Sequence, residues 1–223
     1  MVGGARPRSV RGVTIPAVLE RVAAATGRAG RAAGSVTVVG VTKYADLDGA
    51  RSLVAAGVVD LGENHAQQLR DRAAEVPGAR WHFIGPLQRN KAQHVARLAH
   101  AFHALDRVEV AEALSTRRDP DAPLDCYVQV NVAGEASKSG VAATDVGPLL
   151  AACAPLPGIR VVGLMAMPPL AARPDDSRPW FRALAALAAE HGLAGLSMGT
   201  TADFEVAIEE GATAVRVGSA FFA

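Results

Sequence analysis

From residue 35 onward, short apolar runs rich in β-branched residues alternate with alanine-rich stretches whose apolar positions recur at helical spacing. The runs at 36–42, 58–62, 81–85, 101–105, 125–131, 160–165, 195–198 and 214–217 read as strands. Each is too apolar on both faces for a half-exposed antiparallel strand. Continuous apolar runs separated by helices indicate a parallel sheet covered on both sides. Helices are expected at 47–56, 65–75, 90–99, 109–118, 146–153, 178–191 and 203–210, with an extra one at 16–26 before the first strand. Asp203 is placed to cap its helix, and Gly57, Gly192 and Gly211 each follow a helix end, where a left-handed residue is often needed.

Eight strand–helix alternations predict an α/β fold of one kind: a single closed (β/α)8 TIM-type barrel with an extra N-terminal helix. Little chain follows the eighth strand, so the last outer helix is expected to be minimal, with helix 16–26 covering the gap. No linker or low-complexity stretch divides the sequence. Residues 14–223 are therefore expected to form one domain, and 1–13, with Arg6, Arg8 and Arg11 among glycines and a proline, a flexible tail without targeting function.

Composition narrows the partners. Half of the 223 residues are hydrophobic, enough for a large core without metals or disulfides. A net charge of +1 gives no electrostatic reason to expect nucleic acid, and no apolar run approaches the roughly 20 residues of a membrane span. Cys126 and Cys153 sit in apolar surroundings and read as core residues in a reducing, cytoplasmic protein.

In a barrel, function collects where strands end and loops to the helices begin. Only three lysines, Lys43, Lys91 and Lys138, stand among 23 basic residues, and all three fall just past a predicted strand end. A partly buried lysine can lose its proton and form an imine, which arginine cannot do. Lys43 is the favoured candidate, because the strand before it is almost wholly apolar. At the other end of the chain, Ser197, Gly199, Thr200 and Thr201 follow strand seven, and Arg216, Gly218 and Ser219 close strand eight. Glycines, hydroxyls and an arginine in these loops suit a phosphate. Strand eight adjoins strand one in a closed barrel, so a phosphate there lies within a small cofactor's length of Lys43. An imine-forming lysine beside a phosphate cup suits pyridoxal 5′-phosphate (PLP), while a phosphate-binding barrel enzyme without PLP stays open on these residues.

The motifs extend the case. Gly-Val-Thr-Lys at 40–43, Gly-Glu-Asn at 62–64, Trp-His-Phe-Ile-Gly-Pro-Leu-Gln at 81–88 with Asn90-Lys91, Gln-Val-Asn at 129–131, Ser-Lys-Ser-Gly at 137–140, Gly-Leu-Met-Ala-Met at 163–167, Leu-Ser-Met-Gly at 196–199 and Arg-Val-Gly-Ser at 216–219 run collinearly along the chain. The sequence resembles the pyridoxal phosphate homeostasis protein family, barrels similar to the N-terminal domain of alanine racemase. The resemblance implies that Lys43 carries PLP as a Schiff base, that Ser197, Gly199, Thr201, Arg216, Gly218 and Ser219 surround its phosphate, and that Asn64 and Met165 line the ring. Three positions depart from the family pattern: Tyr44 after the lysine, His65 after Gly-Glu-Asn, and Thr200-Thr201 after Met198-Gly199.

Other candidates read as structural. His82 alternates with Trp81 and is expected to be a hydrogen-bonded barrel histidine; Asp106 and Arg107 form a loop ion pair; Trp180 and Phe181 pack in the core; His100 and His103 lack the companions of a metal site. Racemisation of the alanine racemase type needs a second base, a tyrosine from another domain. Here Tyr44 is expected to point away from Lys43, and Tyr127 lies early in strand five. The expectation is a non-catalytic PLP carrier for intracellular homeostasis, a monomer, with PLP-dependent apoenzymes as possible recipients. The alternative is a small racemase-like enzyme with water or Lys138 as second base.

Overall fold

The computed structural model of the chain describes residues 15–43, 45–135 and 138–222. The tail expected over 1–13 and Tyr44 lie outside them. Eight parallel strands close into a barrel in chain order: β1 Thr37–Val41, β2 Asp60–Glu63, β3 Arg80–Phe83, β4 Ala99–Leu105, β5 Leu124–Val130, β6 Ile159–Ala166, β7 Gly195–Thr200 and β8 Ala214–Val217. Closure is made by β8 on β1, in register from Thr37 opposite Ala214 to Gly40 opposite Val217. The loops after Val41 and Val217 therefore emerge side by side.

The helices are α1 Ile15–Arg28, α2 Leu47–Ala55, α3 Ala66–Glu75, α4 Ala92–Leu98, α5 Val108–Ser115, α6 Val146–Cys153, α7 Arg178–Glu190, α8 Phe204–Glu209 and the single turn α9 Ser219–Phe222. All eight expected strands and the expected helices are present, with shifted ends. The helix expected from 90 opens as a 3-10 turn, Arg89–Lys91, and the one expected to reach 118 stops at Ser115. Beyond that end, Arg118 turns back to donate to the carbonyls of Ala96 and Ala99 at 2.8 and 3.1 Å. Gly57, Gly192 and Gly211 adopt positive φ after their helices, as their positions suggested. Asp203 is a correction. It stands at the start of α8 but makes no capping bond there; its carboxylate accepts from the Thr200 N–H at 2.7 Å and from Ser177 Oγ at 2.9 Å.

Among the described residues β8 is followed by α9, and α1 supplies cover beside α8. It buries Val18, Val22 and Ala25, while Arg21 and Arg28 reach Glu205 and Glu209 of α8. The apolar core lies between sheet and helices and includes Phe83, Phe102 and Leu105 of the strands with Leu69, Leu114, Phe181 and Phe204 of the helices. Trp180 is half-buried beside the fully buried Phe181. Cys126 and Cys153 are buried free thiols; burial pushes the Cys153 thiol up to about 11 and the Cys126 thiol further.

Between β6 and β7 the backbones meet at two glycines. A Cβ on Gly163 would stand 2.0 Å from the Gly195 carbonyl oxygen, so a side chain there is excluded on steric grounds. The Tyr127 ring fills the room left by Gly195, with Cε1 at 2.9 Å from where its Cβ would be.

Candidate functional site

A cavity of about 810 Å³ opens at the C-terminal ends of the strands. Its wall includes Lys43 after β1, Asn64 after β2, Met165 on β6, Thr201 after β7, Arg216 on β8, and Gly218 and Ser219 after it. Seven residues that the sequence had assigned from distant stretches thus share one wall. Sequence reasoning did not single out Ile84, Gly85 and Pro86 of the β3 loop as wall residues, although they fall within a quoted motif, nor Gln129, Met167 and Phe222.

Ser197 and Gly199 lie elsewhere. Ser197 is fully buried beneath the wall, where its hydroxyl serves His103 and Arg216. Gly199 has φ +88° and packs so tightly on α8 that a Cβ would come 2.5 Å from that of Ala207. It lines an adjoining cavity of about 500 Å³, with Lys138, Gln129, Ser139, Met167 and Asp203. Lys138 lies 3.5 Å from Glu135, and Lys91 is exposed at the 3-10 turn before α4.

Lys43 is held at its position by buried polar groups. Thr42 donates its hydroxyl to Glu63 Oε1, and Arg72 of α3 pairs with the same carboxylate at 3.1 Å. Arg72 also donates to the carbonyls of Thr42 and Ala45, at 2.8 and 2.6 Å, one on each side of the lysine segment. Burial pushes the Glu63 carboxyl up, against the lowering effects of Thr42 and Arg72. Glu63 falls within the motif at 62–64, but sequence reading missed Arg72. An arginine on an outer helix carries no pattern that separates it from a solvated one.

Arg216 is the fixed cation of the wall. It donates to Ser197 Oγ, to the Ala166 carbonyl at 3.0 Å and to Met167 Sδ. Burial pushes its guanidinium down to about 10, which leaves it charged near neutrality. The Gly218 N–H donates to Thr201 Oγ1 at 3.1 Å, tying the two loops of the expected phosphate cup together. Asn64 Oδ1 is buried with no hydrogen-bond partner among the described residues. A lysine, a buried cation, hydroxyls at Thr201 and Ser219, and an unpartnered amide oxygen suit a small phosphorylated aldehyde.

His82 and His103 take up structural hydrogen bonds within the barrel, as expected for His82. Asp106 and Arg107 form their loop ion pair at 2.7 Å. Tyr127 stacks on the His103 ring and does not reach the cavity wall.

Residues 19–223 match the family described as alanine racemase, N-terminal domain, which fixes the class of barrel. A Pseudomonas aeruginosa protein named pyridoxal phosphate homeostasis protein is 40% identical over 213 residues, covering 93% of each chain. The chain belongs to this family, as its motifs suggested. PipY of Synechococcus elongatus, solved with PLP bound, is 27% identical with a TM-score of 0.79, covering 92% of this chain and all of that one. Alanine racemase of Corynebacterium glutamicum superposes with a TM-score of 0.64 at 18% identity, over 62% of its own length, and shares the fold.

Proposed function

We propose that this protein binds PLP in the larger cavity and holds it as a Schiff base on Lys43, as a carrier for PLP homeostasis. One observation carries the reading. Among the described residues of the wall, the only titratable groups are Lys43 and Arg216, one nucleophile and one fixed cation. Condensation joins the lysine nitrogen to the aldehyde carbon, and the carbonyl oxygen leaves as water. Arg216, Thr201 and Ser219 supply donors for the anion, Gly218 holds Thr201 in place through its N–H and lets the chain approach, and Asn64 and Met165 border the ring. Ser197 and Gly199 support this wall from behind, Ser197 through Arg216 and Gly199 through the packing of its loop on α8.

Catalysis on an amino-acid adduct needs a positioned acid or base, and the described wall presents no carboxylate, histidine, tyrosine or cysteine for it. That supports storage and delivery over turnover, with PLP-dependent apoenzymes as recipients. We place the protein in the cytoplasm, consistent with its two buried free thiols, as a monomer to be checked by light scattering. No described helix is long and apolar enough to cross a membrane.

The test compares parent and Lys43→Ala loaded with PLP. The parent is expected to show the imine absorbance and, after borohydride reduction, a pyridoxyl group on the Lys43 peptide. Equal protein-bound absorbance in both would sink the assignment. A racemase-like second reading draws on Lys138, which lines the adjoining cavity. Enzyme-like α-proton exchange of amino acids in heavy water would favour it.

A further inference from the structure

A line of polar side chains crosses the inside of the barrel from its base to the wall of the cavity. At the base, Asp60 opens β2 and receives Arg80 Nη2 on Oδ2 at 2.6 Å. Its Oδ1 lies 2.8 Å from His82 Nε2 on β3. His82 Nδ1 lies 2.9 Å from His103 Nε2 on β4, and His103 Nδ1 lies 2.7 Å from Ser197 Oγ on β7. Ser197 accepts from Arg216 Nη1 on β8. Strands β4 and β7 are not neighbours, so the His103–Ser197 bond spans the lumen. All five residues from Asp60 to Arg216 are buried.

The proton positions follow from donor and acceptor chemistry. A carboxylate only accepts, so a singly protonated His82 carries its proton on Nε2 for Asp60 and leaves Nδ1 as an acceptor. His103 must then carry its proton on Nε2 and give it to His82 Nδ1. His103 Nδ1 accordingly accepts the Ser197 hydroxyl hydrogen, and Ser197 Oγ accepts from Arg216, which only donates. Every bond points the same way, from Arg216 to Asp60, and such chains polarise one another in a low-dielectric interior. Burial, with smaller contributions from His82 and Arg216, holds the His103 imidazole well below its usual value, in keeping with a neutral ring. At Asp60 burial acts to raise the carboxyl, and the bonds from His82 and Arg80 outweigh it, leaving a carboxylate.

We infer that Asp60, His82, His103 and Ser197 are positioning residues for Arg216, fixing its guanidinium through a one-way hydrogen-bond relay anchored at the far end of the barrel. The chemical advantage is specific. A carboxylate set directly against Arg216 would compete with a ligand acceptor for its N–H groups. A relay stabilises the cation without setting such a carboxylate against it. The inference rests on the PLP-binding reading, since a bound cofactor would report it.

The test is a double-mutant cycle on the full chain loaded with PLP. Asp60→Asn and Ser197→Ala are each expected to shift the absorption maximum of the bound cofactor and weaken its binding by about tenfold. Asp60→Asn made in the Ser197→Ala background is expected to add nothing, because the relay is already cut. Ser115→Ala, which removes another buried hydrogen bond (to the Gly158 N–H) outside the relay, is expected to lower stability with the spectrum unchanged. Additive effects of the pair, or an Asp60→Asn protein with parental spectrum and affinity, would overturn the relay. Should the variants not fold, nitrogen-15 NMR of the parent histidines decides. Nε2–H tautomers at His82 and His103 support it, and Nδ1–H at His103 overturns it. A parent that takes up no PLP refutes the function reading, while the tautomers still test the relay.

Discussion

Thr42 donates its hydroxyl to Glu63 Oε1 at 2.6 Å, wholly out of solvent and one residue before Lys43. Arg72 completes this unit, so its removal leaves a buried carboxylate without its cation and takes a donor from the carbonyls of Thr42 and Ala45, of which Thr42 keeps the Ala45 N–H. Arg72→Ala is expected to cost about 3 kcal/mol in denaturant unfolding and to weaken PLP uptake. Glu63→Gln keeps an acceptor for Thr42 and is expected to cost about 1 kcal/mol. An Arg72→Ala protein as stable as the parent would show that the unit does not anchor the lysine segment.

Acid should destabilise the protein through His103. Its folded value is depressed, so the unfolded chain takes up a proton near pH 6.5 that the folded protein refuses. The stability is present above that pH and is lost as pH falls below it, by up to about 1.4 kcal/mol per pH unit for one proton. The groups facing this ring are His82, Tyr127, Ser197 and Arg216. His103→Gln, which cannot titrate, is expected to flatten the slope between pH 6.5 and 5.5 by one proton's worth. An unchanged slope in unfolding titrations would assign it elsewhere, with His100, exposed at the start of β4 and likewise depressed, the next candidate.

Two glycine substitutions are expected to move stability in opposite directions. Gly163→Ala forces a Cβ onto the Gly195 backbone and should cost more than about 4 kcal/mol, or prevent folding. Gly27 lies in α1 with open space around it, and Gly27→Ala should stabilise by about 0.5–1 kcal/mol. Urea midpoints measure both.

The α1–α8 contact separates charge from packing. Arg28 is half-exposed and meets Glu205 and Glu209, so Arg28→Ala is expected to cost less than about 1 kcal/mol, and less again in high salt. Val18→Ala, at a fully buried position of the same helix, should cost about 2 kcal/mol irrespective of salt. The reverse order would mean that ion pairs hold the helix.

The barrel was legible in the sequence because parallel strands buried on both faces leave unbroken apolar runs, as at 36–42 and 160–165. Lys43 and Arg216 stood out because strand ends focus chemistry and lysine is rare in this chain. The support around them did not. Arg72 acts from an outer helix across the first turns of the chain, and its pattern matches any solvated arginine. The relay joins five strands, and its partners are up to 94 residues apart in sequence, so spacing carries no trace of it. His103 could be dismissed as a metal ligand but not assigned its partner. Asp203 shows the converse limit: its position signalled a cap, yet Thr200 and Ser177 claimed its oxygens.

The meeting of Gly195 with the Tyr127 ring has a consequence for how such sequences drift. A Cβ at 195 would stand 2.6 Å from the Val162 carbonyl oxygen, closer than the ring, so shrinking the ring at 127 does not admit a side chain there, while a lost ring leaves a hole over 195. Tyr127 also stacks on His103. Among relatives, 195 should therefore stay glycine whatever stands at 127, while 127 and 103 should vary together.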